Sequence, residues 1–325
     1  MGDINWNRLS RAIKNEGSVL FIGPDIEKDE QGKPVLQQLC KKMVDTYPGE
    51  ITYDEKEGFL FFIEPEAKND VIYDFKEYYE KQNFAQDVYS MIAAIPFHLI
   101  ISLTPDDSIH HAFTENGVAH DFVYFDSNKA DVEKPTKDKP LIYSLFGLST
   151  EGKYILSQED YFNYIKAVLS DDILPTKMIS ALRAASNYIF VGFDFEKWYV
   201  RLLLMILNFH KDKESKTRHA VNASDTQSLY KELTERQFNI NFIKDKETDF
   251  FRSFYNKMKE DELLRGLKSK PERIKSELLE KEKLLSEYEE IVNLSSDPKE
   301  VMRSEKAIEL LKKEMEDLQN QLQNL

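Results

Sequence analysis

The chain has 325 residues, 41% of them apolar, with 21 phenylalanines and 16 tyrosines, which excludes disorder over most of its length and allows a large core. Its one cysteine, Cys40, excludes an intramolecular disulfide framework and fits a reducing compartment. A formal charge of −14 repels phosphate at long range, so nucleic acid is not an expected partner.

The first residues, MGDINWNRLSRAIKNEG, hold no apolar signal region, and Trp6 stands where a myristoylation signal needs Ser or Thr. The longest apolar runs, MIAAIPFHLIISL (91–103) and YVRLLLMILNF (199–209), are too short to cross a bilayer and read as core. A cytoplasmic protein with no membrane partner is expected.

In chain order, Ile4, Leu9, Ala12 and Ile13 have helical spacing, with Gly17 as the stop. VLFI (19–22) reads as a buried strand and VLQQLCKKMVDTY (35–47) as an amphipathic helix, with Cys40 as a small core residue. GFLFFIEP (58–65) fits strand or helix. The segment 71–95 reads as helical, with Phe75, Tyr78, Tyr79, Val88 and Ile92 inward. HLIISLT (98–104) is a second buried strand, followed by the helical SIHHAFTENG. DFVYF (121–125), LIYSLFG (141–147) and YIFVGF (188–193) are further strands, and SNKADVEKPTKDK (127–139) is a loop by composition.

In SQEDYFNYIKAVL (157–169), Ser157 and Asp160 form a helix-entry box with Asp in place of Glu. RHAVNA and INFIKD (240–245) add two late strands around a helix at 225–237, and KDKESK (211–216) is a solvated loop. Strands alternating with helices predict an α/β domain over 1–257: a Rossmann-like, mainly parallel sheet with helices on both faces.

From about Glu260 the composition turns to Leu, Glu and Lys. Leu311, Met315, Leu318, Leu322 and Leu325 step by four and three; Leu278, Leu285, Tyr288 and Val292 repeat the rhythm, interrupted by Lys281. Between them Asp297 is suited to cap a helix and Pro298 to start it. Residues 258–325 are thus expected to form an antiparallel helical hairpin or coiled coil. Residues 260–325 would mediate self-association or bind a protein partner, since such a seam buries little alone. The alternative is a solvated helical tail held by Glu–Lys pairs.

Ligands of open parallel sheets bind beyond the carboxyl ends of the strands. Four strands here end in FIGPDIE, SLTPDDS, YSLFGLS and FVGFDFE. In this order and at these separations, over about residues 18–255, they resemble the sirtuin-like family, in its bacterial conflict-system branch. No pair of CxxC motifs is present, so the zinc ribbon of the deacetylase branch is lacking and protein deacetylation is not expected.

The resemblance implies an NAD pyrophosphate loop at Gly23-Pro24-Asp25-Ile26-Glu27, where the family has Gly-Ala-Gly-x-Ser. Its Thr-Asn-x-Asp motif corresponds to Thr104-Pro105-Asp106-Asp107, with Pro105 in place of the Asn that orients the ribose and water. Its His-Gly pair corresponds to Phe146-Gly147, with Phe146 in place of the general base. NYIFVGFDFEKWYVRLLL matches the final glycine-containing strand, at Gly192. Residues implied near a dinucleotide are Gly23, Asp25, Thr104, Asp107, Gly147 and Gly192.

Proline and phenylalanine supply neither a polar side-chain atom nor a titratable group, so the family's bond cleavage is not expected here. Asp25 and Glu27 would set carboxylates beside two phosphates, a repulsion of roughly 4 kcal/mol per pair in a partly buried site. His110, His111 and Asp107 are rescue candidates for catalysis; Asp107 would otherwise cap the helix that begins near Ser108. Asp25 and Glu27 would either ligate a phosphate-recruiting metal or face water, and Asp194 and Glu196 are similarly ambiguous. No resident metal and no required cofactor are expected.

Three functions follow from the resemblance. The first is a catalytically inactive scaffold or adaptor of a bacterial anti-phage or conflict system. The second is an NAD glycohydrolase with relocated residues, and the third a non-hydrolytic sensor of NAD or ADP-ribose.

Overall fold

The computed structural model describes residues 4–29, 31–81, 85–126, 128–170, 173–209, 211, 215–221, 229–266, 270–294 and 298–323. The chain divides into two compact units, Met1–Arg265 and Gly266–Leu325.

The first unit opens with α1 (Trp6–Lys14), β1 (Ser18–Ile22), a 3₁₀ turn (Pro24–Ile26) and α2 (Val35–Thr46). A separate antiparallel pair follows, β2 (Ile51–Asp54) and β3 (Phe59–Phe62), then α3 (Ala67–Glu80) and α4 (Gln86–Ala94). Next come β4 (Leu99–Ser102), α5 (Ser108–Glu115), β5 (Asp121–Tyr124) and β6 (Leu141–Ser144). The unit ends with α6 (Gln158–Ser170), α7 (Thr176–Ala184), β7 (Asn187–Val191), α8 (Trp198–Ile206), β8 (Thr217–Val221), α9 (Leu229–Phe238), β9 (Ile240–Ile243) and α10 (Glu247–Glu260).

Seven strands form one sheet in the order β5-β6-β4-β1-β7-β8-β9, and every neighbouring pair is parallel. The apolar runs explain the arrangement. Val19 and Phe21 pair with Leu99 and Ile101 on one side and with Tyr188 and Phe190 on the other, and all lie in one core cluster. The alternate residues Leu20, Ile22, Ile100, Ile142, Ile189 and Val191 point to the opposite face and are equally buried. Both faces are covered, as a Rossmann-like α/β sheet requires.

Several local expectations meet a definite outcome. Ser157 and Asp160 form the reciprocal box: Asp160 N–H donates to Ser157 Oγ at 3.1 Å and Ser157 N–H to Asp160 Oδ2 at 3.0 Å. The left-handed residue that follows α1 and its cap Asn15 is Glu16, one before the expected Gly17: it takes a φ of 55° while Gly17 N–H reaches Ala12 O at 2.7 Å. Its carboxylate accepts Lys137 N–H at 2.8 Å, a tie that helps hold a conformation disfavoured for Glu. GFLFFIEP is a strand because it pairs with β2, a segment without an apolar run of its own. The 71–95 segment is two helices, α3 and α4; residues 82–84 lie outside the described residues.

Arg265 closes the first unit. Its guanidinium donates to the carbonyls of Ala93, Ile95, Phe97 and Lys137 at 2.6–3.1 Å, and its own N–H to Ala94 O at 2.9 Å. This planar donor set satisfies the backbone that feeds β4. Composition places a boundary near Lys257, which lies inside α10.

The second unit is α11 (Lys270–Leu294) and α12 (Pro298–Gln323). Leu278 packs with Leu318, and Met315 and Leu322 lie partly buried against them. Lys281, the interruption in the seam, pairs with Glu314 at 2.7 Å, and Glu289 with Lys312 at 3.5 Å, so the helices run antiparallel. Pro298 opens α12; the expected cap Asp297 and the seam's Leu325 lie outside the described residues.

Candidate functional site

Because the sheet is parallel, the segments after β1, β4, β6 and β7 emerge at one edge, and they carry the residues singled out above. The first contact is between two glycines. Gly23 N–H donates to Val191 O at 2.8 Å, and a Cβ on Gly23 would lie 2.1 Å from Gly192 O. Gly192 has φ 67°, and a Cβ there would meet Ile26 N at 2.4 Å. Both positions need glycine because the two loops touch. The contact also consumes donors: Asp25 N–H goes to Gly192 O at 3.0 Å, Ile26 N–H to Gly23 O at 3.2 Å, and Pro24 has none.

On β4's loop, Thr104 is fully buried; its N–H donates to Ser102 Oγ at 3.1 Å and the two hydroxyls bond at 2.7 Å. Pro105 is buried, and its carbonyl accepts Ser149 N–H at 2.7 Å. Asp106 and Glu27 are 2% and 1% exposed, and their carboxyl groups lie against each other. Glu27 therefore departs from the expected turn carboxylate facing water or a metal: the 3₁₀ turn rotates it inward, where it meets Tyr89 OH at 3.2 Å.

Asp107 is the residue before α5, but its side chain makes no cap bond; it faces the exposed ring of its helix neighbour, with Oδ1 3.4 Å from His111 Nε2. The i, i+4 spacing along one helical turn sets that choice. His110 is engaged elsewhere. It stacks on Phe122 with centroids 4.6 Å apart, and its Nδ1 lies 2.8 Å from His120 Nε2. Since His120 Nδ1 must donate to Val118 O at 2.7 Å, neutral His120 accepts and His110 donates. Burial foremost holds both rings below the ordinary histidine range.

Phe146, after β6, is 4% exposed. Its ring meets Tyr161 at 5.7 Å, Tyr164 at 5.6 Å and Tyr199 at 6.2 Å, and Phe59 of β3 completes the cluster against Tyr161 and Tyr199. Gly147 has φ 84°, and a Cβ there would fall 1.7 Å from Lys153 O. The space around Phe146 is thus filled with aromatic rings.

The other end is open. A cavity of about 430 Å³ lies beyond β1, β7, β8 and β9 and is lined by Asp25, Asp194, Glu196 and Glu247 against Lys28 and Lys231. Lys28 is committed to Glu247 at 2.9 Å. Burial pushes the Asp25 carboxyl up to about 6, opposed by Lys197 and Lys28 and assisted by Asp194 and Glu247. Among the described residues, no group of three or more His, Cys, Asp or Glu is placed to hold a metal ion. Nor is any helix among them long and apolar enough to cross a membrane.

The structure thus brings Gly23, Asp25 and Gly192 together, seats Thr104, Pro105 and Asp107 on the neighbouring loop, and sets Phe146 and Gly147 beyond them. Sequence reasoning missed the Glu27–Asp106 contact and the Arg265 clamp, and no local pattern announces either. No curated protein matches the chain. Residues 98–244, from the entry to β4 through β9, match the family model described as SIR2-like domain, so the first unit contains a region that supports a sirtuin-like domain.

Proposed function

We propose that the chain is a catalytically inactive sirtuin-like scaffold or adaptor, assembling through its C-terminal helices, in a bacterial anti-phage or conflict system. The observation that carries this reading is Phe146. Where the resemblance puts a general base, this side chain is packed among Tyr161, Tyr164 and Tyr199 and has no atom that exchanges a proton. Pro105, at the ribose-orienting position, offers only a carbonyl, which Ser149 N–H already engages.

The pyrophosphate of NAD fits poorly at the Gly23 turn. The amides that would receive it are directed to Gly192 O and Gly23 O, and four carboxylates line the adjoining cavity. We therefore derive no chemical step through NAD. His110 is tied to His120 and Phe122, which weighs against its recruitment as a relocated base. The defence setting rests on the resemblance, and the assembly role on the single apolar seam of the hairpin.

Incubation of purified protein with NAD, followed by chromatography, is expected to release no nicotinamide; release abolished by Asp107→Ala would overturn the inactive reading. Mass-resolving light scattering should show full-length protein above the monomer mass, or with a co-purifying protein, and a chain ending at Arg265 as a monomer. Two monomers without a companion would remove the assembly role.

A further inference from the structure

The turn after β1 and the loop after β4 are joined by two buried acids that make no ion pair among the described residues. Glu27 Oε1 receives Tyr89 OH, and Asp106 Oδ2 receives the Ser108 hydroxyl. Glu27 Oε2 and Asp106 Oδ1 are buried and have no donor, while the two side chains contact each other. The neighbours that act on them are Tyr78 and Tyr79 of α3, Tyr89 of α4, Tyr154 ahead of α6, Thr104, Ser108 and Asp107. The groups acting most strongly on the two carboxyls include no cation.

Two bare carboxylates in contact, sealed from water and without a positive charge, would repel strongly and leave two orphan acceptors. One proton between the orphan oxygens removes both faults. We propose that Glu27 and Asp106 share a single proton across Glu27 Oε2 and Asp106 Oδ1, and that this proton latches the turn after β1 to the loop after β4. Glu27 is the donor, because Asp106 already accepts from Ser108 and Thr104. Burial holds both groups above the ordinary carboxyl range, in keeping with the retained proton.

The latch stands apart from whether the cleft binds a nucleotide. Its sign is fixed: the folded state holds a proton that the unfolded chain releases, so stability is greatest at low pH and declines as pH rises through the pair's folded titration. At that point the proton goes to solvent and two carboxylates remain in contact.

The test uses the full chain carrying Asp25→Asn, which silences the other raised carboxyl. The expected infrared spectrum at neutral pH contains the C=O stretch of a buried carboxylic acid. Glu27→Gln, whose amide donates to Asp106 in the proton's place, should abolish that band and flatten the fall of the denaturation midpoint with rising pH. Both tryptophans, Trp6 and Trp198, lie in the first unit, so their fluorescence reads its unfolding. Should Glu27→Gln fail to fold, Asp106→Asn should move the band to another frequency, because Glu27 keeps its proton and loses the carboxylate that receives it. No acid band in the parent, a band that survives Glu27→Gln or is unmoved by Asp106→Asn, or an unchanged pH slope in Glu27→Gln would overturn the latch. So would a stoichiometric metal ion in native mass spectrometry that is lost in Glu27→Gln.

Discussion

The sheet unit and the hairpin both rest on apolar seams, and they bury them to different depths. Leu20, Ile22, Leu99 and Ile100 are fully enclosed because each central strand is packed on two faces and flanked by neighbours. Among the described residues of the hairpin the best-buried apolar side chains, Leu278, Leu311 and Leu318, retain 7–9% exposure, while Leu284 and Leu310 stand 40% and 59% exposed. A sheet between helix layers supplies its own enclosure, whereas two helices shield only the line where they meet. Self-sufficiency thus belongs to the first unit, and the second has apolar surface left over.

Core truncation should break the two unequally. Phe190→Ala, which removes a ring stacked on Phe21 at 4.9 Å, is expected to cost about 3–5 kcal/mol in denaturant unfolding read by tryptophan. Leu318→Ala should cost about 2 kcal/mol, read by loss of helical circular dichroism, because its surroundings can relax toward solvent. Equal costs would erase the contrast.

A smaller effect separates the open end of the cleft from its filled end. The Asp25 carboxyl is pushed up to about 6 in the folded protein from an ordinary 3.8. Its contribution to stability is therefore fully present below about pH 4 and is lost as pH rises through 6. Asp25→Asn stays neutral throughout, so its stability advantage over the parent should grow by about 2 kcal/mol between pH 4 and 7. A constant difference across that range would refute the shift. Smallest of all, Lys281→Ala should lower hairpin stability by no more than about 1 kcal/mol, since Glu314 is 44% exposed and water screens the pair. Thermal melts at low and high salt check it: the difference between parent and variant should shrink with salt.

Legibility followed the range of the interactions. The buried strands VLFI, LIIS, LIYS and YIFV could be read because a strand covered on both faces is apolar at nearly every position. The Ser157–Asp160 box was legible because both partners lie within one helical turn. β2 was not, since ITYD carries no apolar run and becomes a strand by pairing with FLFF. Asp107 misled for a related reason: spacing marks it as a cap, and only the rotamer shows it turned to His111.

By itself the sequence determined an α/β sheet followed by paired helices, a property of residue type and short spacing. That Pro105 and Phe146 stand where the sirtuin-like pattern carries reactive side chains is an expectation that rests on the resemblance. Tertiary structure alone decided that Phe146 is walled in by three tyrosines, that Gly23 and Gly192 press together, and that Glu27 meets Asp106 away from water. Each of these joins residues on different strands and loops, and which ones meet depends on the order of the sheet, which no local pattern encodes.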